Sequence, residues 1–86
     1  MHGGVTARFL YTASFRDTQA RFLVEATSAE LARAWGNALA HVRANDKTRP
    51  LQFIGSTVAP GDATTPSEAL PLVRFGESPA DGTIGW

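Results

Sequence analysis

The sequence predicts an α+β fold. It reads as a ββαβ unit in which a three-stranded antiparallel sheet carries one helix packed on one face, followed by a Pro/Gly-rich C-terminal tail. Three observations lead there. Two early segments alternate apolar and polar residues with period two, as half-buried strands do. A capped segment then repeats its apolar residues at helical spacing. Finally, four of the five prolines and four of the eight glycines lie from Pro60 onward.

The first alternation spans Val5 to Phe15: Val5, Ala7, Phe9, Tyr11, Ala13 and Phe15 share one face, and Thr6, Arg8, Leu10, Thr12 and Ser14 share the other. Ala20 to Ala26 repeats the pattern, with Ala20, Phe22, Val24 and Ala26 inward and Arg21, Leu23 and Glu25 outward. The polar run "RDTQ" between them makes a hairpin the natural reading. A loop centred on Asp17-Thr18 would pair Phe15 with Ala20, Ala13 with Phe22, Tyr11 with Val24 and Phe9 with Ala26. Large residues would then mostly meet small ones. The turn lacks Gly and Asn, which favours a longer loop over a tight one.

The helix opens with Thr27-Ser28-Ala29-Glu30, the spacing of a capping box. Leu31, Trp35, Ala38, Leu39 and Val42 follow as one apolar stripe, and Asn45 is a candidate left-handed stop. Gly36, in mid-helix, costs ~1 kcal/mol relative to alanine. It belongs to a strip of small residues with Ala29, Ala32 and Ala40, suited either to close packing on the sheet or to a partner. "LQFIGSTV", Leu51 to Val58, reads as the third strand, with Gly55 marking a bulge or close backbone approach. Residues 1–58 form the expected domain, and 59–86 an extended or partly disordered tail with room for a short edge strand at 70–75. The strand order expected is 2-1-3, with the face opposite the helix bearing Leu10 and Leu23, a pair to be covered by the tail, a second subunit or a partner.

The chain has 86 residues, so one domain with a small core is expected. There is no cysteine, which excludes disulfides and thiolate chemistry. No apolar run reaches the roughly 18 residues of a membrane span. "MHGGVTARF" has no signal-peptide pattern. A cytoplasmic location is the expectation. Net charge is zero, but residues 1–58 carry seven basic groups against four acidic ones, and residues 59–86 one against four. That split fits a basic body with an acidic tail, and it also fits chance.

Signatures of catalysis are sparse. His41 shares the polar side of the helix with Glu30, Arg33 and Asn37, which reads as a solvated face. The histidines and carboxylates have no metal-ligand spacing, no nucleophile elbow occurs, and the Gly3-Gly4 pair precedes a strand and opens no phosphate loop. No catalytic residue, cofactor or metal is expected. Nucleic-acid binding is a second reading: Arg8 and Arg21 on the outer face of the hairpin, with Arg16 as a third candidate there, and Lys47 and Arg49 in the loop before strand 3 offer phosphate contacts, although the outer face lacks stacking aromatics. Protein binding is the leading one. Candidate contacts are Arg8, Arg21, Arg33, His41, Lys47 and Arg49 as polar groups, Leu10 and Leu23 as apolar ones, Gly36 in its groove, and the C-terminal Trp86 as an aromatic anchor.

A strand ending in "LVEA", the cap "TS", the helix "AELARAW" and a further strand resemble a pattern among small phage-encoded ββαβ proteins, anti-CRISPR inhibitors among them. The resemblance covers roughly residues 5–58. It implies a non-catalytic inhibitor that binds a host nucleoprotein complex and blocks its access to DNA or its nuclease. The chain is not strongly acidic, unlike inhibitors that imitate DNA, so inhibition would act by covering a protein surface. A nucleic-acid-binding accessory protein and a structural subunit of a phage or bacterial assembly are the alternatives. Partners are therefore a protein, such as a host nucleoprotein complex, or a second copy as a homodimer. Nucleic acid is the second choice, and no membrane is expected.

Overall fold

The two alternating segments pair as an antiparallel hairpin, β1 (Ala7–Phe15) with β2 (Gln19–Ala26), in a computed structural model that describes residues 5–61, 70–79 and 84. The register differs from the expected one by two residues: Ala13 faces Ala20, Tyr11 faces Phe22 and Phe9 faces Val24. The turn centres on Arg16-Asp17, closed by the Phe15 N–H donating to the Thr18 carbonyl at 2.8 Å. Neither turn residue has a positive φ, so this is not a primed hairpin turn. Moving the centre by one residue keeps every side chain on its face but changes every partner. The gain is the Tyr11–Phe22 ring pair, with centroids 5.0 Å apart and planes tilted by 47°.

α1 (Ala29–Ala44) starts one residue later than the capping box implied: the N-cap is Ser28, whose hydroxyl accepts from the Leu31 N–H at 3.2 Å. Asn45 caps the C-terminus, but with φ −90° rather than in a left-handed conformation. The larger correction concerns the face. Ala32, Gly36 and Ala40 are the buried helix residues, while Val42 is 73% exposed and Leu31 39%. At 3.6 residues per turn, the helix is rotated by about a third of a turn from the orientation that its large apolar residues imply. The reason lies in the sheet. Its inner face already carries Tyr11, Phe15 and Phe22, so a helix can come down on it only with small side chains. Trp35 and Leu39 then ride along the flank, half-buried.

β3 (Phe53–Pro60) pairs antiparallel with β1. Ser14 faces Gly55 but Phe15 faces Phe53, so Ile54 is the extra residue of a bulge. No neighbour crowds Gly55, so the bulge and not a close approach explains it. The chain leaves β3 through Gly61, where a Cβ would strike the Arg8 carbonyl oxygen.

The sheet is not three-stranded and antiparallel. A fourth strand, β4 (Leu72–Arg74), lies parallel beside β2, giving a mixed sheet in the order β3-β1-β2-β4. It falls inside the segment where a short edge strand had room, and Val73 enters the core at 2% exposure. A turn follows in which the Glu77 N–H donates to the Arg74 carbonyl and Gly76 takes φ +88°, as the third residue of a type II turn requires. Trp35 clasps this turn: its indole N–H donates to the Glu77 carbonyl at 3.0 Å, and its ring lies 5.8 Å from that of Phe75. Ile84 packs, half-buried, against the core.

Candidate interaction surface

Antiparallel and parallel partners point to the same face of a sheet, so the register defines what the face away from α1 presents. Across all four strands runs an apolar row: Ala59, Leu10, Leu23 and Leu72 are successive cross-strand partners. Beside it runs a charged row, Arg8, Glu25 and Arg74. The Arg74 Nε donates to Glu25 Oε1 at 3.2 Å. On the other side lies a polar row, Thr57, Thr12 and Arg21. Among the described residues, none of the aromatics belongs to these three rows. At the end of the face an open cleft of about 450 Å³ lies between Arg8, Phe9, Glu25 and Pro60.

Four of the sequence-derived contact residues thus come together here: Arg8, Leu10, Arg21 and Leu23. The other described candidates do not join them. Gly36 is buried, because its flank packs on Tyr11, so Ala32, Gly36 and Ala40 of the small-residue strip face the sheet while Ala29 is exposed. Arg33 reaches across to the β3 backbone, donating to the Ser56 carbonyl at 3.0 Å. His41 lies edge-on to Phe53 with ring centroids 4.8 Å apart. Lys47 and Arg49 are exposed in the loop after α1, where Arg43 holds the Arg49 carbonyl at 2.7 Å and Asp46 Oδ1 accepts from both the N–H and the hydroxyl of Thr48. These two hydrogen bonds hold the Asp46 carboxyl below its ordinary pKa. Trp86 lies outside the described residues. Leu72 and Arg74 are among the surface residues that sequence reasoning missed, since a three-residue strand has too short an alternation to detect.

The polar side of the helix is not wholly solvated. Asn37 turns to the sheet, and its Oδ1 accepts from the Tyr11 hydroxyl and the Ser56 hydroxyl, both at 2.7 Å. Burial raises the Tyr11 pKa, partly offset by Ser56 and by the Arg33 charge. This arrangement satisfies the polar atom of a core tyrosine.

The edges are blunted. β3 carries a bulge, an Arg33 cap on the Ser56 carbonyl, and Pro60, which has no N–H to offer. β4 is only three residues long. Such features discourage pairing with another strand, so the faces rather than the edges are the available surfaces. α1 offers a smaller one, where Leu31, Ala38 and Val42 are exposed. Among the described residues, no three His, Asp or Glu side chains gather as metal ligands, and no helix is long and apolar enough to cross a membrane.

Comparison with protein families, with curated proteins and with solved structures finds no match to this chain.

Proposed function

We propose that this chain is a small non-catalytic protein-binding module that works by covering a protein surface through the face of its sheet away from α1, where among the described residues Leu10 and Leu23 are half-buried and Ala59 and Leu72 exposed. The observation that carries the reading is the row Ala59–Leu10–Leu23–Leu72, apolar across the full width of the sheet and bordered by charged and polar rows. An apolar centre with a polar rim is the anatomy of a protein interface. In its most concrete form the module is a phage or mobile-element inhibitor, similar to anti-CRISPR proteins, that blocks a host defence complex sterically and acts in the cytoplasm.

A nucleic-acid-binding accessory role is the second reading, favoured among the described residues by three arginines, Arg8, Arg21 and Arg74, against one carboxylate, Glu25, in the rows of that face. The absence of aromatics from the rows weighs against it. Affinity purification from the native host, with Leu23→Asp as the comparison, tests both. The reading predicts a protein complex recovered by the wild type and lost with Leu23→Asp while circular dichroism shows the fold retained. DNA or RNA binding that falls steeply with added salt would replace it with the second reading.

A further inference from the structure

We propose that the sheet face away from α1 is covered by a second copy of this chain, packed sheet to sheet about a two-fold axis that runs parallel to the strands above the boundary of β1 and β2. The inference rests on the reading of that face as a protein-docking surface and names its occupant in the free protein, which a host complex must displace because both use the same residues.

The argument is one of self-complementarity. In the order β3-β1-β2-β4 the midline of the sheet falls between β1 and β2. A two-fold axis along that midline lays β1 of one copy over β2 of the other, and β3 over β4. Rotation about an axis parallel to the strands leaves each row at its own height, so the apolar row meets the apolar row. Leu10 then faces Leu23 of the second copy, and the small Ala59 faces the larger Leu72, because each pair occupies mirror positions across the midline.

In the charged row the same operation sets Arg8 against Glu25 of the second copy and, by symmetry, Glu25 against its Arg8. Two guanidinium–carboxylate pairs form from one operation, as an isologous interface requires. Glu25 is also held by Arg74 of its own chain. The position of the axis is selected by charge: centred on β1 it would set Arg8 on Arg8, and centred on β2 it would set Glu25 on Glu25. Like charges meeting across an interface penalise both. Aligned sheets pack about 10 Å apart at roughly −30°, and the central pairs lie nearest the axis, where that rotation displaces them least. Both helices face outward in this dimer, with Leu31, Ala38 and Val42 still accessible.

Analytical ultracentrifugation over a range of concentrations tests the proposal with wild type, Arg8→Glu and Glu25→Arg, each checked for folding by circular dichroism. Wild type is expected to self-associate. Each single variant places like charges together twice in its homodimer and should dissociate at least about tenfold more readily. An equimolar mixture of the two variants restores opposite charges in both pairs and should recover the dimer. That recovery cannot come from within a chain, where the like charges of each variant remain side by side on β1 and β2. A monomeric wild type, a dimer indifferent to either variant, or a mixture that stays apart overturns the proposal. If the wild type is monomeric yet Leu23→Asp abolishes capture of the host complex, the docking face survives without the dimer. If it is monomeric and capture is indifferent to Leu23→Asp, both readings fall.

Discussion

Gly36 lies directly over the ring of Tyr11, so close that a Cβ at position 36 would stand 2.5 Å from both Cδ1 and Cε1. The ring cannot yield: Tyr11 is fully buried, Phe22 stands beside it, and its hydroxyl is tied to Asn37. Helix propensity alone would have Gly36→Ala stabilise the protein by up to ~1 kcal/mol. Overpacking costs about 1–3 kcal/mol and should win. Chemical denaturation of the variant is expected to show a net loss of stability, and a gain would mean that the helix stands further from the sheet.

Asn37 is a single acceptor for two hydroxyls. Replacing it with leucine leaves the buried Tyr11 hydroxyl without its acceptor, at a cost of about 1–3 kcal/mol. Tyr11→Phe removes only a donor and should cost less, about 0.5–1.5 kcal/mol. A double-mutant cycle is expected to show coupling, since Asn37→Leu should cost less once the hydroxyl at position 11 is gone. Additive losses would count against the bond.

Tyr11 is the chain's single tyrosine, so its ionisation can be followed by ultraviolet absorbance without assignment. Its pKa in the folded protein is raised above the ordinary 10.0 by burial. The proton is therefore bound more tightly in the folded than in the unfolded chain. The stability this contributes is complete below pH 10 and is lost as pH rises through the folded-state value. Tyrosinate absorbance should appear only above pH 10 and together with unfolding, and ionisation at the ordinary pH with the fold intact would contradict the buried position.

Asp46 titrates at the other end of the scale. Its carboxyl sits below 3.8 because it accepts the hydroxyl and the N–H of Thr48. The ordering of the loop is thus present above the unfolded-state value and fades as pH falls through the folded one. Thr48→Val removes the hydroxyl donor and should move the Asp46 pKa upward toward 3.8 in a carboxyl-detected NMR titration, whereas no movement would rule out the hydroxyl as the main cause.

Gly76 holds the turn after β4 at φ +88°, a conformation costing an alanine roughly 1–2 kcal/mol. In Gly76→Ala the loss should be local. The Leu23 N–H, bonded to the Pro71 carbonyl, and the Phe75 N–H, bonded to the Glu25 carbonyl, should exchange hydrogen faster while the β1–β2 ladder keeps its protection. Uniform acceleration would show that β4 opens only with the whole domain.

Much of this architecture is legible from local pattern. Period-two alternation marks Ala7–Phe15 and Gln19–Ala26, and a Ser/Thr start with helical spacing marks Ala29–Ala44. Gly55 marks a strand with a bulge at its neighbour. The residues of the open face are legible too, because alternation assigns Arg8, Leu10, Arg21 and Leu23 to one side whatever the register.

Tertiary structure decided what depends on who meets whom. A shift of two residues in a hairpin preserves the alternation, so only the packing of the Tyr11 and Phe22 rings selects it. The helix presents its small residues inward because bulky rings already fill the sheet, a fact about the sheet that no helical periodicity contains. Leu72–Arg74 is too short to show a period, and it becomes a strand only because β2 offers an edge and the core offers Val73 a place. That strand completes the row of leucines, so the width of the candidate surface is a tertiary property even though its central residues can be read from the sequence.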